Sequence, residues 1–145
     1  MTVATRPARR FLHCDKGMAA LEFALIAPAL LMLVFAIIIY SFWFAALIGV
    51  RHAANEGARA AMAGLSTAER TTLARDRAET VIDGYGALLP TGGTRRIEAG
   101  ADGIGLFKVE VSYDMSGAAL MRYAGFIPMP STTLAVSVIV TNGSY

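Results

Sequence analysis

The sequence is short of the residues that carry most site chemistry. Among its 145 residues there is one cysteine, Cys14, and there are two histidines, His13 and His52. A single thiol excludes an intrachain disulfide and a cysteine-based zinc site. The two imidazoles flank a long apolar run, which argues against a shared metal. The net charge of +2 is too small, and too scattered beyond the first 17 residues, to suggest nucleic acid as a partner. The most informative absence is local: from Phe23 to Val50 there is no Asp, Glu, Lys, Arg or His.

That uncharged run is about 28 residues, or roughly 42 Å as a helix at 1.5 Å per residue. A bilayer core is about 30 Å thick and needs about 20 apolar residues. The run is therefore read as a membrane helix with length to spare, and lipid is an expected partner. It accounts for much of the 55% hydrophobic content and the mean hydropathy of +0.52. Glu22 stands at its edge. The Leu, Ile, Phe and Val side chains that follow each favour insertion by roughly 0.3 to 0.6 kcal/mol, so one acid costing about 2.5 to 3.5 kcal/mol does not prevent it.

Before the run, Arg6, Arg9, Arg10 and Lys16 face a single acid, Asp15. This basic leader predicts a cytoplasmic N-terminus, with everything after Val50 on the other side. An ordinary secretory signal has an apolar core about half this long and a small-residue cleavage site after it. Ala58-Arg59-Ala60 has the small-x-small form but lies too far beyond the span. Cys14 precedes the run instead of following it, so it reads as an incidental thiol and not as a lipid anchor.

Past Val50 the helical pattern continues to Gly64 without proline. Ala54, Gly57, Ala58 and Ala61 form a stripe of small residues, and Arg51, Asn55 and Arg59 a polar stripe at four-residue steps. The small stripe suits either close approach to another subunit or packing on the chain's own domain. Tyr40, Phe42, Trp43 and Phe44 read equally as an interfacial aromatic belt or as packing against another helix. Ser66-Thr67-Ala68-Glu69 reads as a capping box opening a second helix. Leu73, Ala74, Ala78, Val81 and Ile82 are its apolar face, and Gly84 is its stop. Arg70, Arg75, Asp76, Arg77 and Glu79 read as its solvated face. A short strand is expected near Arg95 to Glu98. A half-buried one is expected where Phe107, Val109, Val111 and Tyr113 alternate with polar residues, and a last one from Thr132 to Thr141. Ser116 to Phe126 fits either a short helix or a loop.

The expected fold class is α+β. A long N-terminal transmembrane helix extends into a small outer domain with a second helix and two or three antiparallel strands. The expected organisation is a leader at 1–17, a transmembrane and extended helix at 18–64, and the outer domain at 65–145. No nucleophile with a base, no phosphate-binding loop and no ligand set appears. Glu98, Asp102, Glu110 and Asp114 are scattered carboxylates. No enzyme activity, cofactor or small-molecule substrate is expected.

A basic leader, a glycine, four residues, a glutamate and an apolar helix, in the form Lys16-Gly17-Met18-Ala19-Ala20-Leu21-Glu22-Phe23, resemble the class III signal of type IV pilins and pseudopilins. The Glu22-Phe23 pair and the later Ala53-Ala54-Asn55-Glu56-Gly57-Ala58-Arg59 narrow the likeness to TadE-like minor pilins of tight-adherence (Tad/Flp) pilus systems. The resemblance implies processing between Gly17 and Met18 by a prepilin peptidase, and an assembly role for Glu22 and Phe23. It also implies an assembly platform and other pilin subunits as partners, an inner-membrane location with the outer domain periplasmic or extracellular, and a pilus used in adhesion. The outer domain is large for a shaft subunit, which points to a minor component. The physical chemistry runs alongside. Glycine exposes its backbone to a peptidase, and a carboxylate one turn inside the bilayer can pair with a neighbour's new amine. Alternatively Glu22 only favours the positive end of its own helix dipole. The competing reading of the whole chain is an uncleaved signal-anchored protein whose outer domain binds a ligand or partner protein.

Overall fold

A computed structural model describes residues 15–129 and 131–141. The leader before Asp15, with His13 and Cys14, lies outside the described residues. Helix α1 runs Asp15–Ala61 and α2 runs Thr67–Gly84; the strands are β1 (Thr94–Ala101), β2 (Leu106–Asp114) and β3 (Thr133–Thr141). Short 3-10 helices occupy Gly86–Leu88 and Ala119–Phe126. The fold is α+β, with one antiparallel sheet in the order β1-β2-β3. The chain divides into two units between Ile37 and Ile38.

In the first unit, α1 is apolar on all sides and bare. Met18, Leu21, Phe23, Leu25, Ile26, Leu30, Leu31 and Leu33 are all more than half exposed. Pro28 sits inside this stretch and withholds one backbone donor.

In the second unit the core lies between the sheet and the two helices. The alternation in β2 buries Phe107, Val109, Val111 and Tyr113 and turns the polar residues between them outward. The β2–β3 register sets Tyr113 against Leu134, Val111 against Val136, Val109 against Val138 and Phe107 against Val140, so one apolar face continues across both strands. The expected strand at Arg95 to Glu98 is longer, because Thr94–Ala101 pairs with β2 along its whole length. On the outer face, Glu98 lies directly opposite Glu110. Each has a cation two residues before it on its own strand: Arg96 is 2.5 Å from Glu98, and Lys108 is 2.6 Å from Glu110. These two carboxylates are thus offset where they stand.

Helix α1 is part of this core. Ile39, Ala46, Val50, Ala53, Ala54, Ala58 and Ala61 are all buried. A Cβ on Gly57 would come within 2.9 Å of the Ala74 carbonyl oxygen, 3.2 Å of Ala78 Cβ and 3.3 Å of Val109 Cγ1. The small stripe therefore closes α1 onto α2 and β2 of its own domain; it is not left open for another subunit. Arg51, Asn55 and Arg59 are exposed, as the polar stripe requires.

Helix α2 starts where the cap predicts. The Glu69 N–H donates to Ser66 Oγ at 3.2 Å, while Glu69 Oε2 accepts from the Leu65 N–H at 2.8 Å, one residue earlier than the usual reciprocal bond. Its polar face is less idle than its sequence suggests. Arg75, Asp76 and Glu79 are exposed. Arg77 pairs with Glu56 of α1 at 3.0 Å, and the part-buried Arg70 donates from Nε to the Gly64 carbonyl at 2.8 Å. Arg70 is thus a fastener of the α1–α2 turn and not a solvated charge.

Candidate processing and assembly site

The residues singled out for processing and assembly all lie at the start of α1. Gly17 and Met18 lie within α1 and not ahead of it. Glycine weakens a helix there by ~1 kcal/mol relative to alanine. Gly17, Met18, Glu22 and Phe23 are all exposed, with Met18 at 61% and Phe23 at 68%. Met18 and Glu22 are four residues apart and share one helix face. Helical Cβ atoms tilt toward the N-terminus, so the Glu22 carboxylate leans toward the level of Met18.

From Gly17 onward α1 is long and apolar enough to cross a membrane, with a mean hydropathy of 2.7 over its best window. Only 6% of that window is buried. A soluble protein's core helix of this composition would be mostly covered. This one has its apolar side chains bare around the whole circumference, as a single-pass membrane anchor does.

The aromatic cluster does something sequence reading did not foresee. The Tyr40 hydroxyl donates to the Pro128 carbonyl, and Trp43 Nε1 donates to the Ser131 carbonyl at 2.9 Å. The two rings, one turn apart on α1, fasten the segment that leads into β3. Phe44 remains exposed and meets the edge of Trp43 at 5.1 Å between ring centroids. The signal that could have revealed this was a pair of amphipathic rings at i and i+3, together with a proline-bracketed segment whose carbonyls have no ladder partner.

The family model for the TadE-like protein matches residues 17–59. Over this segment the chain is similar to that family. The match begins at Gly17 itself and ends just short of the close of α1. The TadE-like family is associated with Tad pilus systems and is not a known enzyme family. No curated protein and no solved structure matches the chain. Among the described residues, no group of three or more His, Cys, Asp or Glu is placed to hold a metal.

Proposed function

We propose that this TadE-like chain is a minor pilin, or pseudopilin, of a Tad/Flp-type pilus used in adhesion. Its work is assembly and not catalysis. A prepilin peptidase cuts between Gly17 and Met18 on the cytoplasmic face and removes the 1–17 leader. The mature subunit then consists of the 18–64 segment, helical as far as Ala61, and the outer domain at 65–145, with that domain on the periplasmic or extracellular side. Glu22, the fifth residue after the cut, pairs with the new amine of a neighbouring subunit, and Phe23 packs beside it. The peptidase, the assembly platform and other pilin subunits are its partners.

The observation that carries this reading is the coincidence of three boundaries. The family match, the basic leader's end and the start of the bare apolar helix all fall at Gly17–Met18. The backbone there is helical, and a peptidase needs it extended. Opening one helical turn there gives up about three bonds of roughly 0.5 to 1.5 kcal/mol each, a cost that substrate binding can cover.

The deciding experiment is the mature N-terminus in the native host, read by intact mass and terminal sequencing. A chain starting at Met18, and a bulky substitution at Gly17 that abolishes the shortening, are expected. A chain that keeps its leader in cells with an active prepilin peptidase overturns the processing step and favours the uncleaved anchor. A reporter fused after Tyr145 is expected to be active outside the cytoplasm; activity inside reverses the topology.

A further inference from the structure

The two edges of the sheet are built differently. β1 carries Arg95, Arg96 and Glu98, and Asp83 of α2 pairs with Arg95. Charges of this kind keep an edge strand from pairing with another chain. β3, the opposite edge, reads Thr-Leu-Ala-Val-Ser-Val-Ile-Val-Thr from Thr133 to Thr141, with no charge and no proline. It pairs with β2 residue for residue, so no bulge twists the edge away. Among the described residues no further strand continues the ladder.

Two bonds fix which residues of β3 face outward. The Asp102 N–H donates to the Leu106 carbonyl at 3.0 Å, and the Met115 N–H donates to the Thr132 carbonyl at 2.9 Å. Bonded pairs alternate along an antiparallel ladder. The even-numbered residues of β2 therefore bond β1, its odd-numbered residues bond β3, and within β3 the even-numbered residues answer them. Thr133, Ala135, Ser137, Ile139 and Thr141 are left directing their N–H and C=O groups off the edge.

The core side of β3 is unfinished as well. Phe107, Val109 and Val111 of β2 are buried, whereas Val140, Val138 and Val136, their partners across the ladder, are only partly so. A further strand with apolar residues at alternate positions covers them, and β3 is itself such a strand. Two copies set antiparallel about Ser137, the middle residue, give every outward-facing residue a partner. Thr133 meets Thr141, Ala135 meets Ile139, and Ser137 meets its own copy. On the core side Leu134 faces Val140 and Val136 faces Val138. Opposed residues of a ladder share one face, so the apolar side stays continuous and no like charges oppose each other. We infer that β3 is a homotypic pairing edge, at which a second copy of this chain joins its sheet to the first.

The pair has a direction. Trp43 bonds Ser131, just before β3, and Ala61 lines one hollow with Val140, near its end. From Trp43 to Ala61, α1 thus runs the same way as β3. Antiparallel β3 strands set these two α1 segments in opposite directions, so the contact joins copies that meet from opposite sides and not neighbours in one row. For a pilus subunit that is a contact between two assemblies facing each other. This use rests on the proposed function, whereas the pairing does not.

A contact one strand wide is at the small end of specific interfaces, so it is reversible and best trapped covalently. Bonded residues of a ladder stand about 5.5 Å apart at Cα, within the span of a disulfide. The full chain, with Cys14→Ser as background, is purified in detergent and oxidised. Ser137→Cys is expected to give a covalent dimer, and Ile104→Cys, fully exposed in the β1–β2 turn, to give none. Ala135→Cys and Ile139→Cys are each expected to stay monomeric alone and to cross-link when mixed. Ser137→Pro removes an outward N–H and leaves the bonds to β2 whole; added to both chains, it is expected to cut the mixed cross-link roughly tenfold or more. Cross-linking at 104 equal to that at 137, or by either single variant equal to the mixture, means collision without register and overturns the pairing. A mixed cross-link that Ser137→Pro leaves unchanged overturns it too. Ala135, Ser137 and Ile139 are all exposed, so the cysteine variants leave the core intact, and their register decides the matter even if the proline disturbs the strand. None of these readouts depends on cleavage at Gly17, so failure here leaves the processing reading where it stands.

Discussion

At the scale of single residues, two positions carry opposite demands. Glu22 is exposed in one copy of the chain, and its role depends on what faces it in the membrane. If it serves only its own helix dipole, its loss costs typically 0.3 to 1 kcal/mol. If it pairs with a neighbour's amine, losing it leaves an uncompensated charge and costs roughly 3 to 5 kcal/mol, a hundredfold or more in association. Glu22→Gln is thus expected to leave insertion and processing intact and to abolish co-purification with other subunits. The matched control is Glu79→Gln on the exposed face of α2; Arg70, which fastens Gly64, is unsuitable. Equal assembly by Glu22→Gln and wild type would reduce the carboxylate to a dipole partner. Gly57 is the reverse case, already enclosed by Ala74, Ala78 and Val109. Gly57→Val forces two isopropyl methyls into that contact and is expected to destabilise the domain by about 1 to 3 kcal/mol. The urea midpoint of the detergent-solubilised chain would read this directly, and an unchanged midpoint would mean α1 and α2 separate freely there.

At the scale of elements, the corner joining β2 to the following connection is set by Asp114. Its Oδ1 accepts from the Ser116 N–H at 2.9 Å. Hydrogen bonding from Ser116, backbone first and then hydroxyl, with a further contribution from Thr133, holds its carboxyl below the ordinary aspartate range. A depressed folded-state pKa gives stability that is present above the unfolded value of 3.8 and lost as pH falls through the folded one. Denaturation midpoints are therefore expected to fall on acidification below about pH 4, and Asp114→Ala is expected to lessen that fall. A variant as acid-sensitive as wild type would assign the loss to other groups. The elements differ in how far the sequence disclosed them. The membrane helix, the Ser66 cap and the alternation of β2 were legible because each is written in neighbouring residues. Tyr40 and Trp43 were not, because each bonds a partner 88 positions away, and local periodicity carries no record of that. Arg70 was misread on other grounds: its charge suggested water, while its Nε had the Gly64 carbonyl, six residues back, within reach. The Gly17 to Glu22 spacing, on which the processing proposal rests, lies in neighbouring residues and is read from the sequence alone. The group Glu22 is proposed to meet was not, since it belongs to another molecule.

At the scale of the whole molecule, one helix serves two solvents. Hydropathy alone ends the apolar run at Val50, but the outer domain's packing begins at Ile39. An investigator trimming the anchor at the hydropathy boundary to obtain a water-soluble fragment would discard Ile39, Ala46 and Val50 from the core, with the Tyr40 and Trp43 bonds. Burying an Ile or Val contributes about 1.5 to 3 kcal/mol, against a typical total of 5 to 15 kcal/mol for a domain. A fragment starting at Arg51 is expected to show no cooperative thermal transition by circular dichroism, while one starting at Ile38 retains it. A sharp transition in the shorter fragment would show that α1 is dispensable to the fold. The longer fragment carries Phe44 and Ile48 exposed on its surface, so it is expected to need detergent even without its span. A protease that releases the outer domain with its core intact must therefore cut at or before Ile38. That cut falls within the apolar helix proposed to lie in the bilayer, so shedding of the folded domain is expected to need a protease that works there.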